Sequence, residues 1–126
     1  MINAKILTDN DYELLNARIA GVDLSMENHG CLTLEMNLHG DGWGVCFGGY
    51  VLGHGYLGAN EDEFEGSAKG MESLLRIMDV IGVERFKDLK DKYVRVARKD
   101  NYSIKIIGNI IKDKWFDVED FFNGGE

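Results

Sequence analysis

The sequence predicts an α+β fold, in which an antiparallel β-sheet packs against one main α-helix and a short helix closes the chain. Two observations carry this prediction. Pairs of alternating strands lie on both sides of a strongly amphipathic segment at residues 67–81. The resulting order of strands, helix, strands and short helix is typical of α+β domains. The 126 residues, 44% of them hydrophobic, fit a single domain spanning 1–126.

The first strand pair is a predicted hairpin. Its first strand alternates, with apolar residues on one face at Leu32, Leu34, Met36 and Leu38. The turn is predicted at His39–Gly42, and the second strand of the hairpin at Trp43–Val51. We expect Leu38 opposite Trp43, a register that matches the apolar faces and keeps Cys31 and Cys46 apart as free thiols. Upstream, Tyr12–Leu24 is predicted as a strand bent at Gly21, followed by a turn at Ser25–Asn28.

The main helix is predicted from Ser67 to Ile81. Ser67 is a suitable N-cap and Gly82 a suitable residue just beyond the C-terminus. Glu72 and Arg76 form an i, i+4 pair away from the apolar side. The expected buried stripe consists of Met71, Leu74, Leu75, Met78 and Ile81.

The C-terminal third predicts a second hairpin and a final helix. A short helical turn is expected at Phe86–Leu89, followed by a strand at Tyr93–Ala97. The chain turns at Arg98–Tyr102 and returns as a strand at Ser103–Lys112. Trp115–Phe122 is predicted as a short amphipathic helix.

The charge is unevenly distributed along the chain. Residues 85–114 hold ten basic and four acidic residues, a net charge of +6, whereas the rest carries −14 of the formal total of −8. The acidic total argues against a duplex-DNA binder. The basic segment indicates either a local anion site or a surface that docks on acidic parts of this chain or of a neighbouring subunit.

Several chemistries find little support in the sequence. The glycine-rich run from Gly40 to Gly58 lacks the lysine of a phosphate loop, so bulges and tight turns explain it better than a phosphate cradle. The three histidines match no metal motif, and no metal or cofactor is predicted. No apolar run approaches the length of a membrane span, and no signal peptide is visible, so a cytoplasmic protein is expected.

The basic segment interleaves cations with aromatic rings, a mixture suited to a nucleotide. Arginine and lysine hold phosphate, and aromatic faces stack on bases. Trp115 and Phe116 could equally anchor the final helix in the core. The candidate ligand-binding residues are Tyr93, Arg95, Arg98, Asn109, Lys112, Trp115 and Phe116, with Arg76 reaching from the main helix. Tyr102 is a further aromatic in the same segment.

Five segments between Ala17 and Phe122 resemble a known family. They are His29-Gly30 with the strand after it, residues 42–52, residues 70–78, Tyr93–Val96 and residues 107–116. In their order and spacing they are similar to the Thoeris anti-defence sponge family of phage and prophage proteins. The resemblance implies a phage-encoded protein, acting in the host bacterial cytoplasm, that sequesters cyclic ADP-ribose isomers without cleaving them. It also implies homodimers that assemble into hexamers, some holding cyclic oligonucleotides at a second site.

Two other classes compete with this interpretation. An acidic protein can mimic DNA and inhibit a host nuclease or a CRISPR effector, but such a mimic gains nothing from the basic segment. A phosphodiesterase that cleaves the signal would carry paired His-x-Thr motifs or histidine clusters, which are absent from the sequence. We therefore expect a binding protein and not an enzyme.

Overall fold

A computed structural model describes residues 2–55, 60–100 and 103–124 of the chain. The described residues form one antiparallel sheet of seven strands in the order β4-β3-β2-β1-β5-β6-β7. The strands are β1 (Glu13–Asn28), β2 (Cys31–Gly40), β3 (Trp43–His54), β4 (Glu65–Gly66), β5 (Tyr93–Arg98), β6 (Ile106–Asn109) and β7 (Trp115–Asp117). The helices are α1 (Ala4–Asp9), α2 (Ala68–Ile81) and α3 (Val118–Phe122), with 3-10 turns at Glu61–Glu63 and Phe86–Leu89. The predicted α+β class, with one main helix and a short C-terminal helix, is confirmed.

The two faces of the sheet are covered differently. The front face carries the main core, which packs against α2 and α3 and includes Ile19, Met36, Phe47 and Val96. The back face carries a smaller cluster of Leu7, Ala97 and Ile106, where α1 packs over β5 and β6. Helix α1 was not predicted from the sequence. Its N-terminus is capped by Asn3, whose side chain accepts a hydrogen bond from the Ile6 amide.

The main helix has the predicted ends but not the predicted face. Ser67 accepts a hydrogen bond from the Gly70 amide, and Gly82 adopts the left-handed conformation with φ 92°. The expected stripe is wrong at Met71 and Leu75, which are 50% and 66% exposed. Ile81 is buried as expected, and Leu74 and Met78 pack half-buried against the core. The other buried residues of the helix are Gly70, Ser73, Ile77 and Val80. The helix lies closest to the sheet where its side chains are small, and the long side chains beside them remain outside.

The first hairpin has a tighter turn than predicted. Asp41 and Gly42 alone connect the strands, so Leu38 lies opposite Val45 rather than Trp43. The shift is two residues, and the apolar faces therefore still match. The predicted turn at Ser25–Asn28 is wrong, because β1 continues to Asn28 and His29 and Gly30 make the turn with positive φ angles of 55° and 80°.

The glycine-rich run is partly accounted for by a bulge. The β2–β3 register shifts beside Gly48, which has φ 129°. Gly58 lies outside the described residues. Cys31 and Cys46 are free thiols, as expected.

The final predicted helix is wrong in its first half. Residues 115–117 form β7, paired with β6, and only Val118–Phe122 is helical. Trp115 and Phe116 point to opposite faces of the sheet, with Trp115 beside the back-face cluster and Phe116 in the main core. The second hairpin forms as predicted, although β6 is shorter than residues 103–112. Asn101 and Tyr102 of its predicted turn lie outside the described residues.

Candidate functional site

A cavity of about 510 Å³ lies beside the β5–β6 hairpin. It is large enough for a small molecule of nucleotide size. Its lining combines two lysines, two carboxylates, an aromatic ring and an apolar part: Tyr12, Ala97, Lys99, Ser103, Lys105, Ile106, Asp117 and Glu119. Both lysines belong to the basic segment, on either side of the hairpin turn.

Lys99 brings a positive charge to this cavity. Its ammonium nitrogen lies 5.4 Å from the centroid of the Tyr12 ring, a cation–π contact. Within the described part of the chain, Lys99 makes no ion pair. A phosphate placed here would therefore find a cation without having to displace a partner.

Lys105 is held in a fixed position by its neighbours. Its Nζ lies 3.2 Å from Glu119 Oε2, and this hydrogen bond raises the pKa of Lys105. A hydrogen bond to the Tyr50 hydroxyl acts in the same direction. Burial raises the pKa of Tyr50, whose ring stacks on Phe122 with centroids 4.8 Å apart. Lys105 is thus a positioned cation at neutral pH.

The carboxylates of the cavity come from the start of α3. Asp117 caps this helix by accepting a hydrogen bond of 2.9 Å from the Asp120 amide. Burial raises its pKa. Carboxylates beside lysines suit a ligand that carries hydroxyl or amino donors as well as an anionic group.

Arg95 lies elsewhere on the back face, in a cluster with Asp113, Trp115 and Ala4 that we call the Arg95 cluster. Its guanidinium donates from Nε to the Asn109 carbonyl and from Nη2 to the Lys112 carbonyl, each at 2.8 Å. It also lies 4.7 Å from the centroid of the Trp115 ring. These contacts hold the loop between β6 and β7 against β5.

Asp113 connects the Arg95 cluster to the N-terminal helix. Its Oδ1 accepts hydrogen bonds from the Ala4 amide at 2.8 Å and from Trp115 Nε1 at 2.7 Å. The bond from Ala4 lowers the pKa of Asp113 below its ordinary value of 3.8, and Trp115 and Arg95 add to this effect. The carboxylate therefore ties α1 to the β6–β7 loop.

The remaining candidate residues are distributed over the molecule. Arg98 projects from the other side of β5, where it pairs with Glu13 at 3.0 Å and lies 5.8 Å from the Trp43 ring centroid. Arg76 pairs with Glu72 at 2.7 Å and lies 5.3 Å from the Phe121 ring centroid.

Asn109 has both ends of its amide engaged within the chain. Its Nδ2 donates to the Val80 and Ile81 carbonyls at the end of α2, at 2.9 and 3.4 Å. Its Oδ1 accepts from the Ile111 and Lys112 amides, each at 2.9 Å.

The structure thus brings together only some of the eight candidate residues. Arg95 and Trp115 are in contact, Tyr93 is exposed on the same strand, and Lys112 is exposed in the adjoining loop. Phe116 is only 8% exposed, in the main core. The cavity instead collects residues outside the candidate set. The sequence signal for two of them is that Lys99 lies in the predicted turn and Lys105 near the start of the predicted return strand, so the hairpin brings them close together.

Asp113 gives a test of how α1 is held. Because its pKa is lower in the folded chain than the ordinary value of 3.8, its stabilising contribution is complete above about pH 5 and is lost as the pH falls through the folded pKa. We expect Asp113→Asn to melt at a lower temperature than the wild type at pH 7, and this difference to narrow at pH 3. Glu84 is exposed and makes no ion pair with any described residue. Glu84→Gln should therefore melt at the same temperature as the wild type at both pH values. A deficit of the same size at both pH values would contradict the assignment.

Comparisons of the chain with protein-family models, with curated proteins and with solved structures find no match. Among the described residues, no group of three or more histidine, cysteine, aspartate or glutamate side chains is arranged to hold a metal ion. In the same ranges, no helix has the length and apolar character needed to cross a membrane.

Proposed function

We propose that the protein captures a cyclic ADP-ribose isomer in the cavity beside the β5–β6 hairpin and holds it without cleaving it. In this proposal the protein is a phage-encoded anti-defence protein. It acts as a homodimer or larger assembly in the host bacterial cytoplasm and deprives a defence effector of its signal. The second site for cyclic oligonucleotides is part of the same proposal.

The observation that carries the proposal is the charge of Lys99, which makes no ion pair with any described residue, in a cavity of about 510 Å³. A cyclic ADP-ribose isomer carries a pyrophosphate, two riboses and an adenine. Lys99 and Lys105 suit the pyrophosphate, because charge-assisted contacts to phosphate are among the stronger hydrogen bonds. Asp117 and Glu119 suit ribose hydroxyls, which need acceptors.

The Tyr12 ring offers a further element of recognition. It lines the cavity and packs beside the back-face cluster, so its position is fixed by α1 and the sheet. An aromatic face of this kind can stack on an adenine, a contact worth about 1–3 kcal/mol. The same ring contacts Lys99, so the phosphate and base positions would be neighbours.

Capture without turnover is tested by recovering the ligand. The purified chain is incubated with a cyclic ADP-ribose isomer, unbound ligand is removed, and the protein is then denatured by heat. We expect mass spectrometry to find the intact isomer in the released fraction. Release of ADP-ribose or other products would show an enzyme and would overturn the proposal.

The location of the site is tested by Lys99→Gln. We expect about a tenfold or greater loss of affinity, since a charge-assisted contact is worth about 1.5–3 kcal/mol. Lys5→Gln changes the net charge equally on the exposed side of α1 and should leave affinity within twofold. Arg95→Gln separates the two candidate places. If affinity follows Arg95 and not Lys99, the ligand binds at the Arg95 cluster instead.

A further inference from the structure

One edge of the sheet carries a long stretch of unpaired backbone. Along its inner side, β3 pairs with β2 over its whole length. On its outer side, among the residues that the structure describes, only Gly53 and His54 have a strand partner, in β4. The Leu52 carbonyl accepts from the Ser67 amide. From Trp43 to Val51, no backbone group bonds to any other described residue on the outer side.

The regular part of this open edge, residues 43–47, lacks the features that usually keep edge strands apart. Residues 43–51 contain no charged residue and no proline. The bulge at Gly48 twists the later part of the edge, but the register from Trp43 to Phe47 is continuous. Five regular residues are enough for strand pairing.

We propose that residues 43–47 of β3 pair antiparallel with the same residues of a second copy of this chain, about a two-fold axis at Val45. An antiparallel pair of identical strands is self-complementary, so one contact satisfies the open edge of both copies. The chain as a whole is acidic, yet this uncharged edge brings no like charges together. The two sheets join into one continuous sheet.

The proposed register makes a specific geometric statement about Cys46. Its side chain is exposed on the back face, directly opposite Asn37 of β2. In the dimer it faces Gly44 of the second copy, which places the two Cys46 residues as diagonal neighbours about 7–8 Å apart. This proposal rests on the self-association included in the proposed function and adds the surface through which it occurs.

The first experiment uses the native thiol. Light scattering should give twice the 14.2 kDa mass of the monomer. A bismaleimide with a short ethylene spacer should link the two copies, and Cys46→Ser should abolish the link while the dimer persists. If only the monomer mass is found, both the edge pairing and the proposed self-association are wrong. Ligand capture is tested independently, by recovering intact ligand after heat denaturation.

The second experiment places like charges on the edge. Gly44→Lys with Cys46→Lys sets lysines directly opposite each other twice across the two-fold axis, and we expect the dimer dissociation constant to rise about tenfold or more. The matched control is His39→Lys with Asn37→Lys, at the positions paired with Gly44 and Cys46 on the interior strand β2. The control should change the constant less than twofold. If the dimer survives the edge substitutions and does not cross-link through Cys46, it forms through another surface. That result would contradict the edge pairing but not the self-association.

Discussion

Replacing Gly70 by alanine is expected to lower the free energy of unfolding by about 3 kcal/mol, as overpacking at a rigid contact does. Gly70 is buried in the first turn of α2, where the helix crosses β3. A Cβ atom at this position would lie 2.8 Å from the Leu52 Cα and closer still to the Val51 carbonyl oxygen. These neighbours are backbone atoms, so a side-chain rotation cannot relieve the clash. Urea denaturation of the wild type and of the Gly70→Ala variant measures the difference in free energy of unfolding.

The control for this substitution is Gly66→Ala. Gly66 is exposed in β4, and a Cβ atom there would meet nothing within 4 Å. Its stability should change by no more than about 0.5 kcal/mol. If Gly70→Ala were equally harmless, the close approach of α2 to β3 would be incorrect.

Asn109→Asp is expected to lower the free energy of unfolding by about 2 kcal/mol at pH 7. The substitution keeps the acceptor for the Ile111 and Lys112 amides but removes the donor to the Val80 and Ile81 carbonyls. It also places a negative charge at the C-terminus of α2, the end that favours cations. Chemical denaturation at several pH values measures the loss.

The pH dependence of this variant separates the helix end from a general effect of charge. The carbonyls raise the pKa of the new carboxyl, because only its protonated form can donate to them. The loss in free energy of unfolding is therefore complete above the pKa that the carboxyl has in the folded chain. It disappears as the pH falls below the pKa that the carboxyl has in the unfolded chain. Asn37→Asp adds the same charge on the exposed face of β2 and should cost little. A deficit at Asn109 that does not change with pH would argue against the carbonyl contacts.

The features predicted correctly from the sequence are those decided locally. The ends of α2 follow from Ser67 and Gly82, each of which acts within one turn of the helix. The alternation of Val94 and Val96 against Arg95 also appears as predicted, because a period of two is a property of the strand itself. The hairpin faces were matched, and only the tightness of the turn changed the register.

The features that the sequence did not predict depend on distant partners. Residues 115–122 have a helical pattern throughout, but Trp115 and Phe116 gain two separate apolar surfaces by joining β6 as a strand. The short helix α1 depends on Asp113 and the back-face cluster for its position. Neither the strand at residues 115–117 nor the docking of α1 can be predicted from neighbouring residues alone.

The candidate site shows the same division between local and distant information. The sequence pattern groups the cations of the basic segment together, yet neighbouring cations on a strand need not share a site. Arg95 and Arg98 extend from opposite sides of β5 and bind different partners. Lys99 and Lys105, in contrast, meet at one cavity because a hairpin turn separates them. Contact across a hairpin was therefore a better guide than proximity along the chain.

The hydrogen bond between Ala4 and Asp113 joins residues 109 positions apart, which has a consequence for synthesis on the ribosome. The chain emerges from its N-terminus, and β1 can pair with β2 early, but its other neighbour β5 emerges much later. Leu7 must wait longer still for Ile106, against which it packs. Helix α1 therefore cannot dock until Ile106 and Asp113 have been synthesised, and the nascent chain carries an exposed apolar segment through most of its elongation.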